Sequence, residues 1–206
     1  MKWADSGGDF EQVEPGSYAA VCYKIVDIGT QEGEYQGVKN SRRQVIIGWE
    51  LDELMTTGER AGKPFVVSKF YTQSLGEKAN LRHDLAGWRG RDFTPDELAG
   101  FDAKNILGKS CMLSLTLTDK GKIKVSGVSK LPKGMTAPAQ VNPTLFLSLE
   151  PNDYDRAAFD AQTDKMKAMI MASPEWQALQ KPQGKPNNFA DMPDDMPWKD
   201  DEEVAF

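Results

Sequence analysis

Basic and aromatic side chains occur together at four places in the chain, a combination that suits the binding of single-stranded nucleic acid. Cations neutralise phosphates, and flat rings offer a surface on which unpaired bases stack, at about 1–3 kcal/mol per base. The four groups fall in the first loop, on a predicted third strand, after a predicted helix and at a hairpin. The candidate contact residues are Tyr35, Lys39, Arg42, Arg43, Lys63, Lys69, Tyr71, Trp88, Arg89, Arg91, Lys120, Lys122 and Lys124.

The same groups also have a purely structural interpretation, which the sequence leaves open. Trp49 lies among aliphatic residues and suits a protein core, as Phe65 and Phe70 do. The lysines and arginines would then form a solvated face. Trp88 can equally well staple a helix to the sheet from a glycine-flanked turn.

Catalytic chemistry finds little support in the residue pattern. The carboxylate pairs Asp52-Glu53 and Asp96-Glu97 fall at predicted turns and helix starts, where acidic residues are common. His83 is the single histidine, and Cys22 and Cys111 stand far apart without a CxxC motif. The chain has no P-loop and no GxSxG motif. We therefore expect a binding protein that is not an enzyme and uses no metal or cofactor.

The charge is distributed unevenly along the chain. The net charge is −6, and residues 191–206 alone hold seven acidic residues and one lysine, so the remainder sums to zero. Residues 60–133 hold 14 basic and 7 acidic residues. A sequence pI of about 5.0 therefore conceals a basic middle, which favours an anionic ligand.

The apolar pattern predicts five strands, at about 17–28, 42–51, 64–72, 109–118 and 123–128, with a loop at 29–37. A helical insert follows the third strand. Its first helix is capped by Ser74 and spans about 75–85, and a shorter one begins at Thr94-Pro95-Asp96-Glu97. This order is that of an OB-fold, a small Greek-key barrel that binds oligonucleotides on strands 2–3 and at loops 1–2 and 4–5. Another small α+β barrel or sandwich is the alternative.

The sequence divides into four parts. Residues 1–15 form a polar arm, 16–149 the OB-fold domain, 150–180 a helical segment, and 181–206 a flexible linker with an acidic tail. The start lacks the apolar stretch of a signal peptide, and no run approaches the roughly 18 apolar residues of a membrane span. We expect a cytoplasmic protein without membrane contact.

The tail and several short segments resemble the single-stranded DNA-binding proteins of bacteria and bacteriophages. The tail pattern Asp-Asp-Met-Pro-Trp…Phe, from Asp194 to Phe206, is similar to the acidic, aromatic-terminated tips of these proteins. Stretches within 28–37, 71–82 and 88–93 resemble phage-encoded replication and recombination proteins of this kind. The last residues read Val-Ala-Phe rather than the Ile-Pro-Phe of cellular members, which indicates phage-encoded partners.

This resemblance implies non-specific binding and protection of single-stranded DNA in phage replication or recombination, in the host cytoplasm. The tail would compete with DNA for the groove and recruit a polymerase, helicase-primase or recombinase. The tail residues concerned are Asp194, Asp195, Trp198, Asp200, Asp201, Glu202, Glu203 and Phe206. The alternatives are a strand-annealing or recombination mediator, an adaptor whose tail mimics DNA, and, last, a metal-dependent nuclease. The oligomeric state, a homo-oligomer included, and the choice between DNA and RNA stay open.

Overall fold

The computed structural model describes residues 11–35 and 37–181, which form an α+β structure built on a mostly antiparallel sheet. The five main strands lie in the order β3-β2-β1-β4-β5, and a short sixth strand pairs with β1 in parallel. The strands are β1 (Gly16–Tyr35), β2 (Val38–Leu54), β3 (Pro64–Thr72), β4 (Ser110–Leu117), β5 (Ile123–Ser129) and β6 (Leu145–Leu147).

Helices occur at two places along the chain. Between β3 and β4 lie α1 (Asn80–Arg89), α2 (Pro95–Ala99) and a 3-10 turn at Ala103–Ile106. After β6 come α3 (Arg156–Asp160), α4 (Asp164–Met171) and α5 (Pro174–Gln180). The predicted α+β class is confirmed, with the helical insert between the third and fourth strands.

The predicted barrel is not confirmed, because the sheet is not closed. Its end strands β3 and β5 approach each other, but no hydrogen-bonded ladder joins them in the part of the chain that the structure describes. Residues 11–13 lie at this gap, beside β3 and the start of β5. Val13 is buried in the core, and the Glu11 carboxylate accepts hydrogen bonds from Thr56 and Thr57. Residues 11–13 thus occupy part of the space between the two end strands.

The first loop, predicted at residues 29–37, is instead part of a long hairpin. β1 and β2 stay paired as far as Tyr35 and Val38, and Gly37 follows with a φ of +77°, in the left-handed region that suits glycine. Polar residues such as Thr30 and Arg43 pair across this ribbon. Because polar residues predominate on both strands here, the ribbon lacks the apolar alternation by which a sequence indicates a strand.

Helix α1 begins at Asn80 and not, as predicted, at Leu75. The Ser74 hydroxyl accepts a hydrogen bond from the Gly76 amide at 3.2 Å, which closes a local turn instead of capping a helix. Helix α2 begins as predicted: Thr94 accepts from the Glu97 amide, and the Glu97 carboxylate accepts from the Thr94 amide at 2.9 Å.

Two apolar clusters lie against the sheet. The first packs α1 onto the strands and contains Trp49 and Trp88, whose ring centroids are 6.1 Å apart. The second lies beneath the C-terminal helices and contains Ile46, Phe159 and Trp176. Successive side chains of a strand point to opposite faces, so β2 contributes Trp49 to one cluster and Ile46 to the other.

A tight contact joins the C-terminal helices to β1. Gly29 has a φ of +70°, and a Cβ atom there would lie 2.4 Å from the Ser173 side chain. Next to it, the Glu175 carboxylate accepts hydrogen bonds from the Thr30 amide at 2.8 Å and the Thr30 hydroxyl at 2.6 Å. Partial burial raises the pKa of Glu175, but these hydrogen bonds outweigh it and lower the pKa. The helices thereby cover one face of β1 and leave β3 uncovered.

Candidate nucleic-acid interface

The outward face of β3 carries an exposed aromatic ring, Phe70. Phe65 and Tyr71 are 7% and 3% exposed, whereas Val66 and Phe70 are 39% and 50% exposed. Among the aromatic residues whose burial the structure describes, Phe70 is the one that is largely exposed. Its interpretation as a core residue is therefore wrong, and a base can reach the ring.

A buried carboxylate explains why Lys69 points inward and Phe70 outward. The Lys69 Nζ atom lies 2.6 Å from Asp84 Oδ2 on α1, and the Tyr71 hydroxyl donates to the same oxygen at 2.7 Å. Burial, reinforced by Asp84, raises the pKa of Tyr71, so its hydroxyl stays protonated. The structure corrects two predicted contact residues, since Lys69 and Tyr71 are held by an interior acid and the Tyr71 ring is buried.

An open cavity of about 850 Å³ lies beside Phe70. Arg42 of β2 and Lys78 of the loop before α1 line it, and neither forms a salt bridge within residues 11–35 and 37–181. Glu77 is the acidic residue of the wall. Uncharged side chains able to form hydrogen bonds complete it: Gln44, Thr72, Ser74 and Asn80. The volume is in the range of about 300–1,000 Å³ typical of ligand sites.

A second cavity, of about 370 Å³, continues along β3 toward the gap with β5. β3 residues 65–68 line it together with Lys122 and Ile123. At about 3.3 Å per residue, β3 spans about 20 Å from Val66 to Thr72. We call the outward side chains Val66, Ser68 and Phe70, with the two cavities beside them, the β3 surface.

The turn between β4 and β5 places lysines at one end of the β3 surface. Its backbone is fixed by a hydrogen bond from the Thr118 amide to the Lys122 carbonyl at 2.8 Å, and Gly121 adopts a φ of +68°. Lys120, Lys122 and Lys124 are all exposed, and Lys122 is the one that lines the cavity. Lys63, just before β3, is exposed as well. The β3 surface therefore has cations at both ends: these lysines at the end near the β4–β5 turn, and Arg42 and Lys78 at the end near α1.

Of the predicted cations on the β1–β2 hairpin, some are exposed to solvent and others form salt bridges within the protein. Lys39 is exposed, but Arg43 forms salt bridges to Asp27 at 2.5 Å and Glu150 at 2.7 Å. Burial lowers the pKa of the Arg43 guanidinium, but hydrogen bonds to these two carboxylates outweigh it and raise the pKa. Arg43 therefore joins β2 to the segment after β6, which corrects its predicted contact role. The side chain of Tyr35 lies outside the described part of the chain.

Trp88 belongs to the core and not to a binding surface. It is 7% exposed, and its indole Nε1 donates a hydrogen bond to the Ser110 carbonyl at 2.7 Å. The ring joins α1 to the start of β4, which is the stapling role that the sequence left open. Its predicted contact role is corrected, because a buried ring offers no face to a base.

Arg89 and Arg91 both bind Glu97 of α2. Arg91 forms a bidentate pair at 2.9 and 2.6 Å, and Arg89 pairs with the same carboxylate while its guanidinium lies 4.4 Å from the centroid of the Phe93 ring. Hydrogen bonds from Arg91 and from the Thr94 amide lower the pKa of Glu97 to about 2, so it stays charged. These guanidiniums hold α1 and α2 together, which corrects their predicted role as phosphate contacts.

The remaining predictions from the sequence concern the tail, metal binding, the cysteines and the membrane. The tail residues from Asp194 to Phe206 lie outside the described residues. In the described ranges, no group of three or more His, Cys, Asp or Glu side chains could hold a metal ion. Burial raises the pKa of the Cys22 thiol to about 12, and Cys111 is buried too. No helix that the structure describes has the length and apolar content to cross a membrane.

Three residues of the site were not among the predicted contacts: Phe70, Lys78 and Gln44. Counting by twos from the apolar Phe65 to Tyr71 would have placed Phe70 outward, but Lys69 suggested the opposite phase of the strand. Lys78 and Gln44 carry no sequence signal of their own, because the loop before α1 folds back toward β2 and brings them together.

The arrangement can neutralise phosphates, stack a base on Phe70 and form hydrogen bonds to polar groups in the cavity. A positively charged groove with aromatic rings is how proteins hold single strands. Comparison with known proteins assigns no family to the chain. No protein-family model matches it, and no curated protein is similar enough to count as a relative.

Proposed function

We propose that the protein binds and protects single-stranded DNA non-specifically along the β3 surface, in phage replication or recombination. The observation that supports this most is the position of the exposed ring of Phe70 between two sets of cations. Arg42 and Lys78 stand at one end and Lys122 at the other. Phosphates on either side of a stacked base would meet these cations, without any reading of sequence.

The order of the strands supports an OB-type interpretation of the fold. The path β3-β2-β1-β4-β5 is that of an OB barrel opened between its third and fifth strands. The oligonucleotide groove of that fold uses strands 2–3 and loops 1–2 and 4–5. Arg42, Phe70 and Lys122 belong to these elements.

Fluorescence anisotropy with a labelled dT oligonucleotide tests the proposal. Replacing Phe70 with alanine removes the stacking ring, worth about 1–3 kcal/mol per base, so we expect the dissociation constant to rise about 5- to 150-fold. Met171→Ala on α4 is the matched control, because that side chain is similarly exposed, at 46%, and lines neither cavity of the β3 surface. Equal affinities for the two variants, or no binding by the unchanged chain, would contradict the proposal.

The phosphate part of the proposal is tested by the salt dependence of binding. Each neutralised phosphate of a single strand contributes about −0.7 to the slope of log K against log salt. Arg42→Ala should reduce that slope by about 0.7 on every sequence alike, whereas Lys165→Ala on α4 should leave it unchanged. An unchanged slope for Arg42→Ala would mean that Arg42 contacts no phosphate.

We further propose that the acidic segment 191–206 competes with DNA for the β3 surface and recruits replication or recombination partners when displaced. Its seven acidic residues and single lysine make it complementary to the cations at both ends of that surface. A chain that ends at Ala190 should therefore bind dT oligonucleotides more tightly at low salt, and the difference should shrink as salt rises. Equal affinity of both chains at low salt would refute competition and leave DNA binding itself intact.

A further inference from the structure

The cavity beside Phe70 contains a glutamine without a hydrogen-bond partner. Gln44 is half-buried, and no hydrogen bond of its side chain occurs within the described residues. The side-chain amide nitrogen of each other half-buried or buried glutamine described donates a hydrogen bond, although the buried Gln162 Oε1 has no partner. Gln31 donates to the Ile28 carbonyl, Gln140 to the Asn142 carbonyl and Gln162 to the Ala158 carbonyl. Because the side-chain nitrogen and oxygen of Gln44 are not among the buried atoms that lack a partner, the amide is open to the cavity and is available to a ligand.

The strand register places this amide next to the exposed ring. Gln44 lies directly opposite Thr72, and Phe70 is two residues before Thr72 on the same face of β3. Diagonal neighbours on adjacent antiparallel strands are about 7–8 Å apart, within reach of aromatic and long side chains. A base stacked on Phe70 would therefore direct an edge into the cavity, toward Gln44.

Resting on the proposed function, we infer that Gln44 selects adenine at the one position where a base stacks on Phe70. A carboxamide offers one donor and one acceptor side by side, and Asn or Gln pairs in this way with the N6 amino group of adenine and the adjacent ring nitrogen. Arg42 and Lys78 contact phosphates, so they add affinity for every sequence and no selectivity. The protein would coat any strand while preferring one that offers adenine at this position.

Competition between two oligonucleotides on the full chain tests the inference. One is all dT, and the other carries a single dA at its centre. We expect the second to bind about fivefold more tightly, which corresponds to about 1 kcal/mol, the low end for one bidentate base contact. Gln44→Ala should abolish this ratio, so that the two oligonucleotides bind equally. Gln73→Ala is the matched control, because Gln73 is exposed and lies outside the cavity beside Phe70, and it should keep the ratio.

A third oligonucleotide separates hydrogen bonding from stacking without changing the protein. It carries deoxynebularine, a purine without the 6-amino group, in place of the dA, and we expect it to bind like dT. Nebularine equal to dA, a ratio near one, or a ratio that survives Gln44→Ala would each overturn the inference while DNA binding stands. Failure to bind dT at all would instead refute the proposed function, and the inference with it.

Discussion

Removing the carboxylate of Asp84 should destabilise the fold more than most single substitutions. Asp84 is 5% exposed and holds both the Lys69 ammonium at 2.6 Å and the Tyr71 hydroxyl at 2.7 Å. The substitution Asp84→Ala leaves a cation and a hydroxyl group at the edge of the core without their partner. The phase of β3, and therefore the outward position of Phe70, depends on this contact.

The size of the effect follows from the two lost interactions. Breaking a buried ion pair costs about 3–5 kcal/mol, and leaving a buried hydroxyl unsatisfied costs about 1–3 kcal/mol. These costs do not simply add, since the Lys69 side chain is 22% exposed and can turn toward water. We therefore expect a loss of about 3 kcal/mol, a large share of the roughly 5–15 kcal/mol by which domains are stable.

Urea denaturation followed by tryptophan fluorescence measures this loss. With a slope of about 2 kcal/mol per molar urea, the midpoint of unfolding should fall by about 1.5 M. His83→Ala is the control, because His83 is the neighbouring residue on α1 and is exposed. A double-mutant cycle with Tyr71→Phe should give a coupling energy above about 0.5 kcal/mol. A loss below about 0.5 kcal/mol for Asp84→Ala would refute the assignment of Asp84 as the residue that fixes β3.

Two further substitutions test contacts that hold helices in place: that of Glu97 with Arg91 and Thr94, and that of Gly29 with Ser173. Arg91 and the Thr94 amide lower the pKa of Glu97 from 4.5 to about 2, so its contribution to stability is complete above pH 4.5 and is lost as the pH falls toward 2. As the pH falls across this range, the free energy of unfolding should decrease less for Glu97→Gln than for the unchanged chain. Equal decreases would argue against a stabilising role of the Glu97 carboxylate. Gly29→Ala places a Cβ atom 2.4 Å from Ser173 at a φ of +70°, so we expect it to lower the melting temperature, with a destabilisation of about 2 kcal/mol or more. An unchanged melting temperature would show that α5 is not held against β1 in this way.

Local signals in the sequence predicted the elements of the fold well where one face is apolar. β3 was predicted with its observed bounds, and the capping box at Thr94 marked the start of α2. Prediction failed where paired strands are mostly polar and so lack an apolar alternation, as in the β1–β2 ribbon beyond Gly29. The closure of the sheet was also out of reach, because it depends on whether two strands distant in sequence form a ladder, and local pattern carries no information on that.

The site was predicted in type but not in its residues. Strand 3 carries the expected basic and aromatic residues. Which of them face solvent depends on the ion pair between Lys69 and Asp84, which turns Lys69 toward the core and Phe70 toward solvent. Asp84 lies on a helix 15 residues further along, where nothing in the sequence connects it to β3. The same applies to Arg89 and Arg91, whose shared partner Glu97 was identified from the sequence only as a capping residue.

The charge that a ligand meets differs from the charge that the sequence displays. Residues 60–133 hold 14 basic residues, but Lys69, Arg82, Arg89, Arg91 and Lys104 each form a salt bridge. Four of these five cations pair with carboxylates of the same segment, and Arg89 and Arg91 share Glu97, so four positive charges meet three negative ones and little of that charge is left for a phosphate. Nine basic residues of this segment form no salt bridge within residues 11–35 and 37–181, and four of them lie at the β3 surface: Lys120, Lys122 and Lys124 at the β4–β5 turn, and Lys78 in the wall of the cavity beside Phe70. Substituting lysines at those two places should therefore weaken DNA binding, whereas substituting the more conspicuous Trp88-Arg89-Gly90-Arg91 motif should act through stability.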